Sequence, residues 1–109
     1  MQKGGALKLK DVKITVLETP LNQELVSRYG LPGTPACPNH RVVDTFLAPQ
    51  GAKPDGICDE AWNSMSRYAF ALASGARHFW DDWVVPEGVA VVTCAAAFRP
   101  VVFKLEAVD

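Results

Sequence analysis

The segment over residues 60–74 constrains the fold most strongly, because it predicts the one long helix of the chain. Asp59 precedes it as an expected N-cap, and Gly75 follows it as an expected C′ residue. Most positions between them are apolar, so no full stripe of this helix is suited to face water. We therefore expect a sheet to cover one face of the helix and a second subunit to cover another.

Four segments have the alternating or β-branched patterns that are typical of strands. They are residues 11–18, 41–47, 89–93 and 101–108. The last two are joined by a short connection, which favours an antiparallel pair. A short helix is expected after Asn22, which can cap it, and Gly30 should end it. The buried face of this short helix should carry Leu25, Val26 and Tyr29.

These elements predict an α+β fold. Its small, mostly antiparallel sheet of about four strands packs on one long apolar helix, and the short helix is peripheral. A length of 109 residues fits one domain, residues 1–109. Residues 1–10 are expected to form a loose N-terminal lead-in.

Composition narrows the range of partners. The net charge is −1, which argues against a nucleic-acid partner. No apolar run reaches membrane-spanning length, and the first ten residues lack the apolar core of a signal peptide. We therefore expect no membrane partner and a cytoplasmic location. Three cysteines do not suggest a disulfide framework in that compartment.

Cys58 is the leading candidate for chemistry. It lies at the predicted start of the long helix, where backbone N–H groups and the helix dipole favour a thiolate. A buried, inert cysteine at a helix start is the alternative interpretation. His40 is the preferred basic partner, because His78 lies beyond the opposite end of a helix about 24 Å long at 1.5 Å per residue. Cys37 completes the predicted catalytic set.

The same side chains support a metal-binding interpretation. Cys37 and His40 have a Cys-x-x-His spacing in a proline-rich loop, and Cys58 and Cys94 could complete a tetrahedral zinc or iron site. The spacing is a weak signal, because structural zinc sites usually show two short-spaced pairs. A structural loop with a solvated histidine is the simpler alternative.

Five further residues are candidates for binding a ligand. An aromatic-rich chain can wall an apolar pocket, although large rings also simply fill a small core. Arg99 precedes Pro100 between two strands and is suited to anchor an anion. The predicted ligand-binding residues are Cys94, Trp62, Arg99, Trp80 and Trp83.

The chain also resembles a family of small uncharacterised prokaryotic proteins. The resemblance rests on four segments: residues 13–17, Ala36-Cys37-Pro38, residues 54–62 with their Gly-x-Cys-x-x-Ala-Trp element, and residues 99–106 with their Arg-Pro-Val-x-Phe-Lys ending. It implies that Cys37, Cys58 and Cys94 belong to a recurrent pattern, and it implies no activity. Where this family often has paired cysteines and a Thr-Asp-Gly turn, this chain has Cys94 followed by three alanines. The difference suggests a larger or more apolar cavity beside Cys94, and it weakens the case for a four-thiolate cluster.

Three functions remain open from the sequence. The first is a small-molecule-binding protein or enzyme, with a cysteine-lined pocket at the start of the long helix and acid–base or thiol-nucleophile chemistry on a small organic substrate. The second is a non-enzymatic metal-binding or redox-sensing protein that uses Cys37, Cys58, Cys94 and His40. The third is a structural subunit that dimerises through the apolar helix. A homo-oligomer is expected in each case.

Overall fold

The structure is a computed structural model that describes residues 8–81 and 83–109. It contains an antiparallel four-stranded sheet and two helices, as the α+β prediction requires. The strands are β1 (Asp11–Glu18), β2 (Thr45–Ala48), β3 (Val89–Thr93) and β4 (Val102–Val108), and the helices are α1 (Gln23–Tyr29) and α2 (Asp59–Ala73). The strand order is β2-β1-β4-β3, so β2 and β3 are the two edges.

One face of the sheet packs on α2, and alternation along the strands decides which side chains face it. Val12, Ile14 and Val16 of β1 are fully buried, while Lys13 between them is exposed. Phe103 and Leu105 of β4 are fully buried on the same face. The hydrophobic core is therefore a single layer between the sheet and α2.

The predicted long apolar helix is not confirmed in that form. The helix α2 has 15 residues and is amphipathic, since only one of its faces is buried. Met65 and Leu72 are fully buried, but the Phe70 side chain is 60% exposed. The prediction counted Phe70 and Ala71 among positions unsuited to face water, although single exposed apolar side chains are common on protein surfaces.

Two local predictions need correction. The strand predicted over residues 41–47 begins only at Thr45, because Asp44 closes a tight turn before it. The Asp44 carboxylate accepts a hydrogen bond from the Arg41 N–H at 2.9 Å, and Val43 has a positive φ of 67°. The predicted cap Asn22 is confirmed for α1, where its side chain accepts from the Leu25 N–H at 3.1 Å. Tyr29, however, is 73% exposed rather than buried.

The chain before β1 is described only from Lys8 onward, so most of the predicted loose lead-in lies outside the described residues. Lys10 within it is attached, because its N–H donates to the Ala73 carbonyl at the end of α2, at 2.9 Å. In the part of the chain that the structure describes, no helix is long and apolar enough to cross a membrane.

The buried face of α2 makes a stability prediction. Met65→Ala should lower the free energy of unfolding by about 2–5 kcal/mol, because it leaves a cavity in the core. Phe70→Ala on the same helix should change it by less than about 0.5 kcal/mol, since this ring is mostly solvated. Urea denaturation of both variants measures the difference. Equal losses would show that α2 packs through a different face.

Candidate functional site

The start of α2 brings His40 to Cys58, the pair that the sequence predicted. Cys58 rather than Asp59 is the N-cap residue, and its carbonyl accepts the first helical hydrogen bond, from Trp62, at 2.9 Å. Asp59 is instead the first residue of the helix and pairs with Lys53, which lowers the pKa of the Asp59 carboxyl. The Cys58 N–H donates to Nε2 of His40 across 3.4 Å. The backbone N–H of Cys58, at the helix start, therefore has its acceptor on His40, while the Cys58 side chain itself caps no helical N–H.

His40 is the one buried polar residue of the described chain, with 4% of its surface exposed. The rings of Phe46 and Phe103 meet its imidazole edge-on, with centroids 5.4 and 5.8 Å away. Burial lowers the pKa of His40 below its ordinary value, and the Asp44 charge opposes that shift in part. The imidazole is therefore neutral near pH 7, with its lone pair on Nε2 and its proton on Nδ1.

The other two cysteines border the same core but have different surroundings. Cys37 is half-buried and packs against the core cluster, as does Cys58. Cys94 is buried just beyond β3, where its Sγ accepts the Val101 N–H at 3.3 Å and its own N–H donates to the Val101 carbonyl. All three are free thiols. Among the described residues, no three His, Cys, Asp or Glu side chains are placed to hold a metal ion.

A groove of about 420 Å³ runs between α2 and β3. The helix lines it with Asn63, Ser64, Arg67 and Tyr68, and the end of β3 lines it with residues 91–95, which include Cys94. Trp80 closes one side. Cys37, Cys58 and His40 do not line this groove. The cavity therefore opens along the flank of α2, about one turn beyond the helix start where the sequence placed it.

The groove combines a cation with a cluster of tilted aromatic rings. The guanidinium carbon of Arg67 lies 5.0 Å from the centroid of the Tyr68 ring, and its Nη2 donates to the Tyr68 hydroxyl at 3.3 Å. The Trp80 ring lies 5.1 Å from Tyr68 and 5.7 Å from Phe79. Trp80 also has a positive φ of 55°, a strained conformation of the kind that concentrates at functional sites.

The predicted ligand-binding residues do not form one set. Cys94 and Trp80 share the groove, whereas Trp62 is half-buried against the core and Trp83 is 82% exposed. Arg99 lines a separate concavity of about 630 Å³ beside the proline-rich loop over residues 30–35. Most of the residues that line this concavity are glycines, prolines and apolar side chains, so few polar side chains converge in it.

Sequence reasoning missed the helical side of the groove. Asn63, Ser64 and Arg67 recur at helical spacing, as polar positions in an otherwise apolar segment. That polar stripe was the available signal, and it lies on the groove flank of α2.

A comparison with protein-family models found no match, and no curated protein or solved structure is significantly similar to the chain. The family resemblance of the cysteine and Arg-Pro-Val segments therefore stays a prediction.

The burial of His40 predicts how stability depends on pH. Because the pKa of His40 is lower in the folded chain than its ordinary value of 6.5, the unfolded chain binds more protons between the two values. The contribution of His40 to the free energy of unfolding is fully present above the unfolded pKa of 6.5, and it should be lost as the pH drops through the folded pKa. The limiting slope for one proton is about 1.4 kcal/mol per pH unit.

Urea denaturation between pH 7.5 and 5.5 measures this slope. His40→Gln should remove it, since an amide keeps an acceptor near the Cys58 N–H without titrating. His78→Gln is the matched control, because the His78 side chain is 69% exposed, and it should keep the wild-type slope. A slope that survives His40→Gln would contradict the assignment.

Proposed function

We propose that this protein binds a small organic molecule in the α2–β3 groove, and that the ligand has an apolar ring and an acidic group. The observation that carries this proposal is the convergence of Arg67, Tyr68, Trp80 and Cys94 on one cavity. A cavity of this size falls in the range of small-molecule sites, which combine apolar walls with a few polar groups.

Each wall of the groove has a role in this proposal. Arg67 binds the acidic group of the ligand, because a guanidinium offers paired donors to a carboxylate. Ser64 and Thr93 add hydroxyl oxygens at the two sides of the cavity; each hydroxyl donates to a backbone carbonyl, of Glu60 and of Cys94, so its oxygen is left as an acceptor for a polar ligand atom. The ring of the ligand packs against Trp80, which lines the groove and is 37% exposed.

The chain beyond Cys94 supports the same site. Ala95 lines the groove next to Cys94, at the position where the resembled family often has a polar turn. Small apolar side chains leave space there and exclude few ligand atoms. Ala95 at this end of β3 therefore supports the larger cavity that the sequence suggests beside Cys94.

Binding of a probe tests this proposal. We use 2-naphthoate as the acidic probe and 2-naphthamide as its neutral analogue, and we measure both dissociation constants by tryptophan fluorescence. Arg67→Gln should weaken naphthoate by about tenfold, the value of one charge-assisted contact, and should change naphthamide little. Trp80→Leu should weaken both probes, because both stack on the same ring.

Arg99→Gln is the matched control for the charge change. Arg99 lines the separate concavity by the proline-rich loop, so its loss should leave both constants unchanged. If Arg99→Gln weakens naphthoate and Arg67→Gln does not, the ligand occupies that other concavity. If neither probe binds, a ligand of this chemistry is excluded.

A second candidate function is acid–base or thiol chemistry at His40 and Cys58. The observation that favours it is a buried, neutral imidazole with Nε2 directed at the residue that carries the thiol. Such an imidazole accepts a thiol proton and leaves a nucleophilic thiolate. Nε2 already accepts the Cys58 N–H, so the ring must shift toward Sγ before the proton moves.

Site-resolved alkylation tests this second candidate. With iodoacetamide, Cys58 should react faster than Cys94, which is only 9% exposed. His40→Gln should slow labelling of Cys58 and leave that of Cys94 unchanged, since Cys94 is buried just beyond β3, outside the loop that carries His40. Faster labelling of Cys94 would indicate a general loss of structure, and unchanged labelling of Cys58 would remove His40 as the base.

A further inference from the structure

The strand β3 forms a free edge of the sheet, and the hydrogen-bond register shows which of its groups face outward. It pairs with β4 on one side, with Val92 opposite Phe103. The same register continues to Cys94, whose N–H donates to Val101. Hydrogen-bonded pairs alternate in an antiparallel ladder, so Ala90 and Val92 face β4. The N–H and C=O groups of Val89, Val91 and Thr93 therefore point away from β4, in the plane of the sheet and toward its free edge.

No common protective device blocks this edge. The strand reads Val-Ala-Val-Val-Thr, with no charge and no proline, and the Val91 side chain is 41% exposed. In the described part of the chain, no backbone hydrogen bond from a loop reaches its outward groups. The opposite edge, β2, is shorter, with Asp44 before it and Pro49 after it. Proteins usually cover, charge or break an edge like β3, because its backbone groups are a template for another strand.

We propose that β3 pairs antiparallel with β3 of a second copy of this chain, about a twofold axis at Val91. The outward groups are symmetric about that residue, so Val91 faces Val91 of the partner and Val89 faces the partner's Thr93. Each such pair exchanges two N–H···O bonds, as a hydrogen-bonded antiparallel pair does. No like charges meet across the axis, because the strand has none. This self-complementarity selects a second copy over an unrelated strand.

The residues before β3 extend this interface beyond the backbone. Trp83 and Val85 are 82% and 87% exposed. In an antiparallel pair, the segment that enters β3 runs toward the partner residues that follow β3. Trp83 and Val85 lie in that segment, ahead of the turn at Gly88, and burial of their exposed side chains against the second copy adds to the pairing of two short strands.

This dimer is different from the one that the sequence predicted through α2. The face of α2 that carries Met65 and Leu72 is buried against its own sheet, and the pairing proposed here uses the β3 edge instead. The inference does not rest on the proposed ligand, because the mass of the protein is measured without one. Since Val91 also lines the α2–β3 groove, the partner strand borders that groove.

Sedimentation equilibrium at micromolar concentration tests the proposal with a matched pair of variants. Val91→Glu places two like charges at the twofold axis of the dimer. Within its own sheet the new glutamate lies opposite Lys104, so the fold of each chain should tolerate it. Leu47→Glu makes the same change on the other edge, opposite Lys13, where Leu47 is 52% exposed. The wild type and Leu47→Glu should have the mass of two chains, and Val91→Glu the mass of one with unchanged circular dichroism.

Amide hydrogen exchange locates the interface independently. In the wild type, the amides of Val89, Val91 and Thr93 should be protected, and in Val91→Glu those of Val89 and Thr93 should exchange at least tenfold faster. The amides of Ala90 and Val92 should stay protected in both, because they bond to β4. A wild type with the mass of one chain, a dimeric Val91→Glu, or rapid exchange at Val89 and Thr93 in the wild type would each overturn the proposal.

Discussion

The packing of α2 on one face of the sheet is the contact on which the rest of the structure depends. Met65 and Leu72 of the helix are fully buried, as are Phe103 and Leu105 of the central strand β4. Burial of a large apolar side chain is worth about 1.5–3 kcal/mol, so this layer supplies most of the stabilisation available to a small chain. With one layer of core, the position of α2 decides where the groove forms.

His40 connects that layer to the loops. Its ring lies among the apolar side chains of β2 and β4, while its Nε2 accepts the N–H at the start of α2. A buried imidazole without this donor would leave a polar group unpaired, which costs about 1–3 kcal/mol. The contact therefore fixes the loop that carries Cys37 and His40 against the helix, and it makes the same point sensitive to protonation.

A sheet of four strands with one covering helix leaves two kinds of surface open. The flank of α2 diverges from β3 and forms the groove with Arg67 and Trp80, and the outer side of β3 has unpaired backbone groups. Both surfaces share Val91 and Thr93. The proposed ligand site and the proposed dimer interface are therefore adjacent on the molecule. A dissociation constant measures the first, and the mass of the protein in solution measures the second.

The sequence alone determined the element types, since alternation in β1 and the cap at Asn22 are local properties that need few distant contacts. It also paired Cys58 with His40 rather than with His78, because helix length is fixed by residue count. Only the tertiary structure decided which face of α2 is buried, that the turn closed by Asp44 delays the start of β2, and that Arg67 and Trp80 line the same groove. Those outcomes depend on contacts between segments far apart in the chain, and local patterns contain no information about such distances. For the same reason the predicted four-ligand metal set is not assembled among the described residues, although its spacing allowed it.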